Sequence, residues 1–191
     1  MSFLPVFKIG IWNAWIFMSV FILQMLVIMF ASKKVRERSH IPSEAKRNQF
    51  EKYTGIIANF VWLIALVYSI FLPFQLETIW FYIGLFVFIV GLILITIATF
   101  NFITAASDQV ITKGVYKLSR HPMYLATFLI CMGSGIASVS LLFILLSIIM
   151  AFCFYKEALI EERFCLNEYG SAYQEYLNRV PRYMGLLKRI K

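Results

Sequence analysis

Four long apolar blocks, at about residues 9–31, 55–76, 79–103 and 124–155, constrain this chain more than any other feature. A bilayer core about 30 Å thick takes roughly 20 helical residues, and a spanning backbone must satisfy its own hydrogen bonds. The first three blocks each fit one crossing. The fourth is too long for one crossing without strong tilt, and "GSGIASVS" (Gly133 to Ser140) lies near its middle. It reads as two helices joined by a tight turn, the alternative being one long tilted or kinked helix. The expectation is an all-α polytopic membrane bundle of about five transmembrane helices. Its last two form a C-terminal helical hairpin, followed by a cytosolic C-terminal helix. With 61% hydrophobic and 15% charged residues, the chain lacks the polar surface of a soluble domain.

The first block reads as a retained span. Its apolar run of about 23 residues exceeds the roughly 7–15 of a signal-peptide core, and "FASKKV" offers no small-residue cleavage site. Orientation follows from the bases. Segments 32–54, 104–123 and 156–191 hold seven, three and seven Lys or Arg, 17 of the 18 in the chain, leaving Lys8. Five crossings put those three segments on one face, which the positive-inside tendency makes cytosolic, with the N-terminus outside. Four crossings would divide them. The net charge of +8 suits an anionic cytoplasmic leaflet. The basic run 32–54 lacks the interleaved aromatics of a base-stacking surface, so nucleic acid is not an expected partner. Cys131, Cys153 and Cys165 show no C-x-x-C or Cys/His spacing, so neither a disulfide nor a metal is expected.

No repeat or flexible linker divides the chain, and residues 1–191 read as one domain. In "FYKEALIEERFCLNEYGSAYQEYLNRV" apolar residues recur near helical spacing beyond the last span. Gly170 is placed to bend or interrupt that helix and Pro181 to stop it. By itself the periodicity describes an amphipathic surface helix under the bundle.

Polar chemistry concentrates in two places. The first is residues 108–124, "DQVITKGVYKLSRHPMY", between two apolar runs. Pro122 suits a first helical turn, where its missing N–H costs nothing. His121 then sits at the helix start, where the dipole favours a neutral imidazole. Arg120 could simply snorkel to phosphate headgroups, which makes a membrane anchor the plain reading of this segment. The second is Glu157, Glu161 and Glu162 just past the final span, acids at a boundary otherwise dominated by bases. Surface pairing with Lys156 or Arg163 would be worth little, and it leaves their grouping opposite the His-Pro segment unexplained.

With both elements in view, the chain resembles the isoprenylcysteine carboxyl methyltransferases and related phospholipid methyltransferases. "GVYKLSRHPMY" matches their G-x-Y-x-x-x-R-H-P-x-Y signature, and "EERFCLNEYGSAYQEYLNRVPR" is similar to their second element. The resemblance covers about residues 101–183. It implies a membrane-embedded methyltransferase using S-adenosylmethionine, bound at the cytosolic ends of the last helices. Carried over by position, Asp108, Gln109, Val110 and Ile111 match a segment whose backbone lines the cofactor. Tyr116 matches a cofactor-binding tyrosine; His121, Pro122, Met123 and Tyr124 match the H-P-x-Y stretch. Glu161 matches a cofactor-contacting acid, and Asn101 a polar cofactor contact.

These residue types suit such a ligand. A ribose diol calls for a carboxylate acceptor such as Glu161. The methionyl carboxylate needs donors, which the Thr112–Gly114 turn and His121 could supply, and aromatic faces such as Tyr116 or Tyr124 attract a sulfonium. Methyl transfer needs alignment and exclusion of water. An amine acceptor must also lose a proton, which makes Glu161, Glu162 and His121 the candidate catalytic residues. One position departs from the pattern. The prenylcysteine enzymes carry an acceptor-contacting Arg four residues before the acid matched by Glu161, and here that position is Glu157. A carboxylate there favours a phospholipid amine or another small apolar nucleophile over a prenylcysteine carboxylate. A membrane NADPH-dependent reductase of the sterol reductase type, and a non-enzymatic scaffold or transporter, are the alternatives. The scarcity of charge within the spans speaks against a transport path.

Overall fold

The computed structural model describes residues 7–31, 33, 35, 47–106 and 109–183. Among them are six α-helices and no strand. They are α1 (Trp15–Met29), α2 (Gln49–Ile70), α3 (Ile79–Thr104), α4 (Pro122–Ala137), α5 (Leu141–Tyr169) and α6 (Ser171–Arg179), with one 3-10 turn over Gly114–Lys117. Helices α2, α3 and α5 are long and apolar enough to cross a membrane, while α1 and α4 are shorter apolar helices of 15 and 16 residues.

The fourth apolar block is broken at Ser138–Ser140, within "GSGIASVS". Val139 takes φ 54°, a left-handed turn costly for a β-branched residue. Ser140 then caps α5, its Oγ accepting from the Phe143 N–H at 3.2 Å and bonding the Tyr68 hydroxyl at 3.0 Å. Gly170 interrupts the C-terminal helix at φ 54°, and α6 ends two residues before Pro181.

Helix ends gather at two poles. At one, the Ala14 N–H reaches Leu72 O, Phe74 N–H reaches Trp12 O, and Gln75 N–H reaches Ala137 O. Buried Asn13 binds that pole by donating to Lys8 O and Ile70 O at 2.6 and 2.7 Å. At the other pole meet the start of α2, the end of α3, the start of α4, the end of α5 and α6.

Helices α3 and α4 form the most extensive pair, because both present bare backbone where they cross. A Cβ on Gly84 would lie 2.3 Å from Ala137 N, and one on Gly133 would lie 2.7 Å from Gly84 O. In lipid, where apolar burial offers no preference between a helix and an acyl chain, such close approach is what holds helices together. The shared core is aromatic and branched: Phe17 of α1 stacks on Phe88 of α3 at 3.8 Å, and Ile130, Phe143 and Leu72 are fully buried. The outward faces carry exposed Phe60, Leu63, Tyr82, Phe86 and Phe100, a surface suited to acyl chains.

Helix α5 spans 29 residues, or roughly 44 Å at 1.5 Å per residue, so its last turns project beyond a core about 30 Å thick. The apolar stripe of α6 packs on those turns. Tyr173, Tyr176 and Val180 close over Cys165, Leu166, Tyr169 and Val110, so the amphipathic helix expected from the sequence spends its apolar face on protein.

Candidate active site

Two elements of the chain, 42 residues apart in the case of Arg120 and Glu162, meet at the second pole. Residues 113–121 are shaped for this by a specific turn. Gly114 takes φ 56°, and a Cβ there would fall 1.8 Å from Asn101 Oδ1. Asn101, on the last turn of α3, accepts from the Val115 N–H at 3.1 Å. That contact fixes the turn to α3 and occupies one of the backbone donors close to the Thr112–Gly114 turn. Buried Tyr116 offers its carbonyl to the Tyr176 hydroxyl at 2.7 Å, binding α6 to the same turn.

Pro122 opens α4 as its first residue, and His121 is the helix-flanking residue, with φ −125° and ψ 59°. The ring of His121 lies between two carboxylates: Nδ1 is 3.1 Å from Glu161 Oε2, and Nε2 is 3.2 Å from Glu162 Oε1. Burial alone would lower the imidazole pKa. Hydrogen bonds and charge from both glutamates outweigh burial and raise it above its ordinary value. The two carboxylates in contact therefore act against the helix dipole, which by itself favours the neutral imidazole.

Adjacent in sequence, Glu161 and Glu162 have different surroundings. Glu162, its side chain 8% exposed, receives Arg120 Nε and Nη2 on Oε1 at 3.0 and 2.9 Å. Arg182 grips it as a fork, Nε on Oε1 at 2.9 Å and Nη2 on Oε2 at 2.7 Å. Burial opposes its charge, and two guanidiniums in direct contact offset that cost. Glu161 is 31% exposed and meets no guanidinium within the described residues. It accepts from His121 and, through a short hydrogen bond, from the Tyr124 hydroxyl. The rings of His121, Tyr124 and Phe154 stack almost parallel, at 5.5 and 4.7 Å, in a column running from the carboxylates toward the apolar part of α5.

Arg120 also donates through Nη1 to Leu177 O and Val180 O at 3.0 and 2.6 Å. Its own N–H and that of His121 reach Pro181 O and Arg182 O. Arg120 is thus an internal tie between α4 and the tail rather than a headgroup anchor. The sequence reading passed over Arg182, although its place after Val180-Pro181 in the second motif was a usable signal. Arg47 was passed over as well. It forms a bidentate pair with Glu157, Nη1–Oε1 3.0 Å and Nη2–Oε2 2.9 Å. The carboxylate that stands out at position 157 in the sequence is therefore neutralised from the start of α2, and no signal in the sequence links those two positions.

The remaining expected residues divide. Met123 and Tyr124 are half-buried on the first turn of α4, beside buried Pro122. Gln109 and Val110, with Thr112, line a separate hollow of about 520 Å³ against Glu168, Tyr169, Ala172, Glu175 and Arg179. Ile111 is half-buried between the two. A smaller hollow of about 240 Å³ lies between Arg120, Arg182 and the 177–181 backbone. Neither is lined by His121, Tyr124 or Glu161. Asp108 lies outside the described residues.

Residues 79–172 match the phospholipid methyltransferase family model. The chain is 33% identical over 76 residues to the protein-S-isoprenylcysteine O-methyltransferase of Saccharomyces cerevisiae, covering 39% of this chain and 32% of that one. It is 30% identical over 86 residues to the protein of the same name from Xenopus laevis, covering 44% of this chain and 30% of that one. The chain thus spans about a third of the length of the curated relatives it matches.

Proposed function

From the match of residues 79–172 to the phospholipid methyltransferase family model, we propose that the chain is a member of that family and an integral membrane enzyme transferring a methyl group from S-adenosylmethionine to a lipid-like acceptor. The observation that carries this reading is Glu161: a partly exposed carboxylate with no guanidinium on it among the described residues, held by His121 and Tyr124 where α4 and α5 meet.

The donor set fits the cofactor. Each Glu161 oxygen spends one lone pair on His121 or Tyr124 and keeps another for a ribose hydroxyl. The sulfonium of S-adenosylmethionine, when bound, supplies an electrophilic methyl group. His121, Arg120 and Arg182 against Glu161 and Glu162 leave an excess of positive charge when the imidazole is protonated, which suits a methionyl carboxylate. The faces of Tyr124 and Phe154 present an apolar wall that excludes water on the bilayer side. Gln109 and Val110 line the separate 109–112 hollow, while Asn101 and Tyr116 hold the turn over 114–117; a cofactor contact from these residues and Ile111 is part of the proposal. Glu162 is saturated with donors and serves as counter-ion. His121, with both ring nitrogens on carboxylates, has no lone pair free to act as a base, so proton removal from an amine falls to Glu161 or to water. The acceptor is a phospholipid amine or a comparable nucleophile, reached laterally from the bilayer.

The membrane arrangement is five crossings, with α1 and α4 extended across the bilayer by their flanking segments, the N-terminus outside and the site cytosolic. The two poles of helix ends and the segregation of 17 of 18 bases support it. The test is binding of methyl-labelled S-adenosylmethionine to purified protein, then incubation with total membrane lipid and mass spectrometry of labelled products. Labelled lipid from the wild type, and none from Glu161→Gln, is expected. Binding of NADPH in place of S-adenosylmethionine would overturn the reading, and a prenylcysteine methyl ester as the sole product would overturn the acceptor class.

A further inference from the structure

Arg47 lies outside the family-matched segment, yet it reaches the site. It precedes α2, whose first turn is docked on α5 by three contacts. Arg47 forks onto Glu157, Glu51 accepts from Arg163 Nη2 at 2.8 Å, and the Lys156 ammonium lies 5.4 Å from the Phe50 ring. The turn itself is rigid. Asn48 and Glu51 form a reciprocal capping box, with bonds of 2.8 and 2.9 Å.

The position of the Arg47–Glu157 pair along α5 gives it a role. Glu157 is one turn from Glu161 on the same helix face, about 6 Å along the axis and on the bilayer side. An acceptor sliding from the membrane toward a methyl group held near Glu161 passes this pair. The pair is sheltered, with side chains 26% and 14% exposed. It also packs under Gly55, where an added Cβ would sit 3.2 Å from Arg47 Nη1 and 3.4 Å from Glu157 Oε1. A planar guanidinium fork engaged by a carboxylate is chemically competent to engage another planar or tetrahedral oxyanion in the same way.

We infer that Arg47 determines acceptor specificity: Glu157 holds its guanidinium as an intramolecular stand-in, which an anionic oxygen beside the acceptor's nucleophile displaces. This rests on the methyltransferase reading and sharpens it. The acceptor carries a phosphate or carboxylate oxyanion, and the freed Glu157 faces any cationic group beside it. The exchange leaves every charge paired when the acceptor is zwitterionic, its oxyanion on Arg47 and its ammonium on the freed Glu157; an acceptor with no cation leaves Glu157 unpaired and gains less.

The test uses full-length protein in neutral detergent. Binding is measured for S-adenosylmethionine and for three probes: phosphatidylethanolamine, N-acetyl-S-farnesylcysteine and octadecylamine. Arg47→Gln is expected to weaken an oxyanion-bearing probe about tenfold, the worth of one charge-assisted hydrogen-bonded contact. Glu157→Gln is expected to tighten the same probe, because the competing carboxylate is gone. Octadecylamine should gain nothing from Glu157→Gln, and affinity for S-adenosylmethionine should hold in both variants. Which of the first two probes responds tells a phosphate from a carboxylate acceptor. A purely structural pair would move both variants in the same direction, and that result overturns the inference, as does probe affinity indifferent to Arg47→Gln. Failure of the wild type to bind S-adenosylmethionine would instead overturn the methyltransferase reading itself.

Discussion

Replacing Glu162 by Gln should unfasten the tail from α4 without dissolving the bundle. Glu162 Oε1 and Oε2 together take four guanidinium hydrogen bonds of 2.7–3.0 Å from Arg120 and Arg182, plus the 3.2 Å contact from His121 Nε2. The amide of Gln can accept on one side only, and its NH2 would face a guanidinium. Removing one member of a buried ion cluster costs about 3–5 kcal/mol, because the partners are left without a counter-charge. That cost falls on the docking of residues 171–183, whose attachment is otherwise a few hydrogen bonds and the Tyr173–Tyr176 contacts. Two backbone amides report it directly, Arg120 N–H on Pro181 O at 3.0 Å and His121 N–H on Arg182 O at 3.1 Å. Hydrogen exchange of peptides covering residues 118–123 should accelerate by roughly 100-fold or more in Glu162→Gln, since about 1.4 kcal/mol is tenfold. Peptides from α3 near Phe88 should be unchanged. Equal protection in variant and wild type at 118–123 would refute the assignment of Glu162 as the counter-ion that holds the tail.

Other perturbations separate the bundle from the site. Gly133→Leu should cost more than about 3 kcal/mol, because its Cβ meets Gly84 O and Phe88 N at 2.7 Å and α3 cannot yield without losing its packing. A fall in thermal midpoint with loss of cofactor binding would be the readout, and an unchanged midpoint would count against backbone-to-backbone packing there. His121 has a raised pKa, so its contribution to tail docking is complete below its ordinary value of 6.5 and is lost as pH rises through the raised value. Thermal stability of the wild type should therefore step down on that alkaline side. The step should vanish in His121→Gln; its persistence would assign it to another group. Tyr176→Phe leaves the buried Tyr116 carbonyl without its 2.7 Å donor and should cost about 1–3 kcal/mol of α6 docking, read as faster exchange in 171–179.

Much of this architecture is written locally. Long apolar strings read as helices suited to lipid, and Gly170 and Pro181 interrupt the polar C-terminal helix through backbone preferences of single residues, whereas the Ser138–Ser140 break holds Val139 against its own preference. The meeting of His121 with Glu161 was legible too, because two polar clusters flanking one helical hairpin must return to the same end of it.

What the linear order left open was decided by rotation of helices about their axes. Consecutive Glu161 and Glu162 are separated by about 100° on a helix. Only the packing of α5 against α4 and the tail determined which one the guanidiniums of Arg120 and Arg182 would saturate and which would keep free lone pairs. Glu157 shows the same dependence over a longer distance. Read in sequence its candidate partner is the neighbouring Lys156, and the resemblance sets it where an acceptor-contacting Arg is expected. In the fold, Arg47, 110 residues earlier, neutralises it. Hydrophobicity makes α2, α3 and α5 long and apolar enough to cross a membrane, since apolar transfer is insensitive to direction around the helix. Charge pairing falls off within a few ångströms, so the partners are determined only once the tertiary structure has set every helix face.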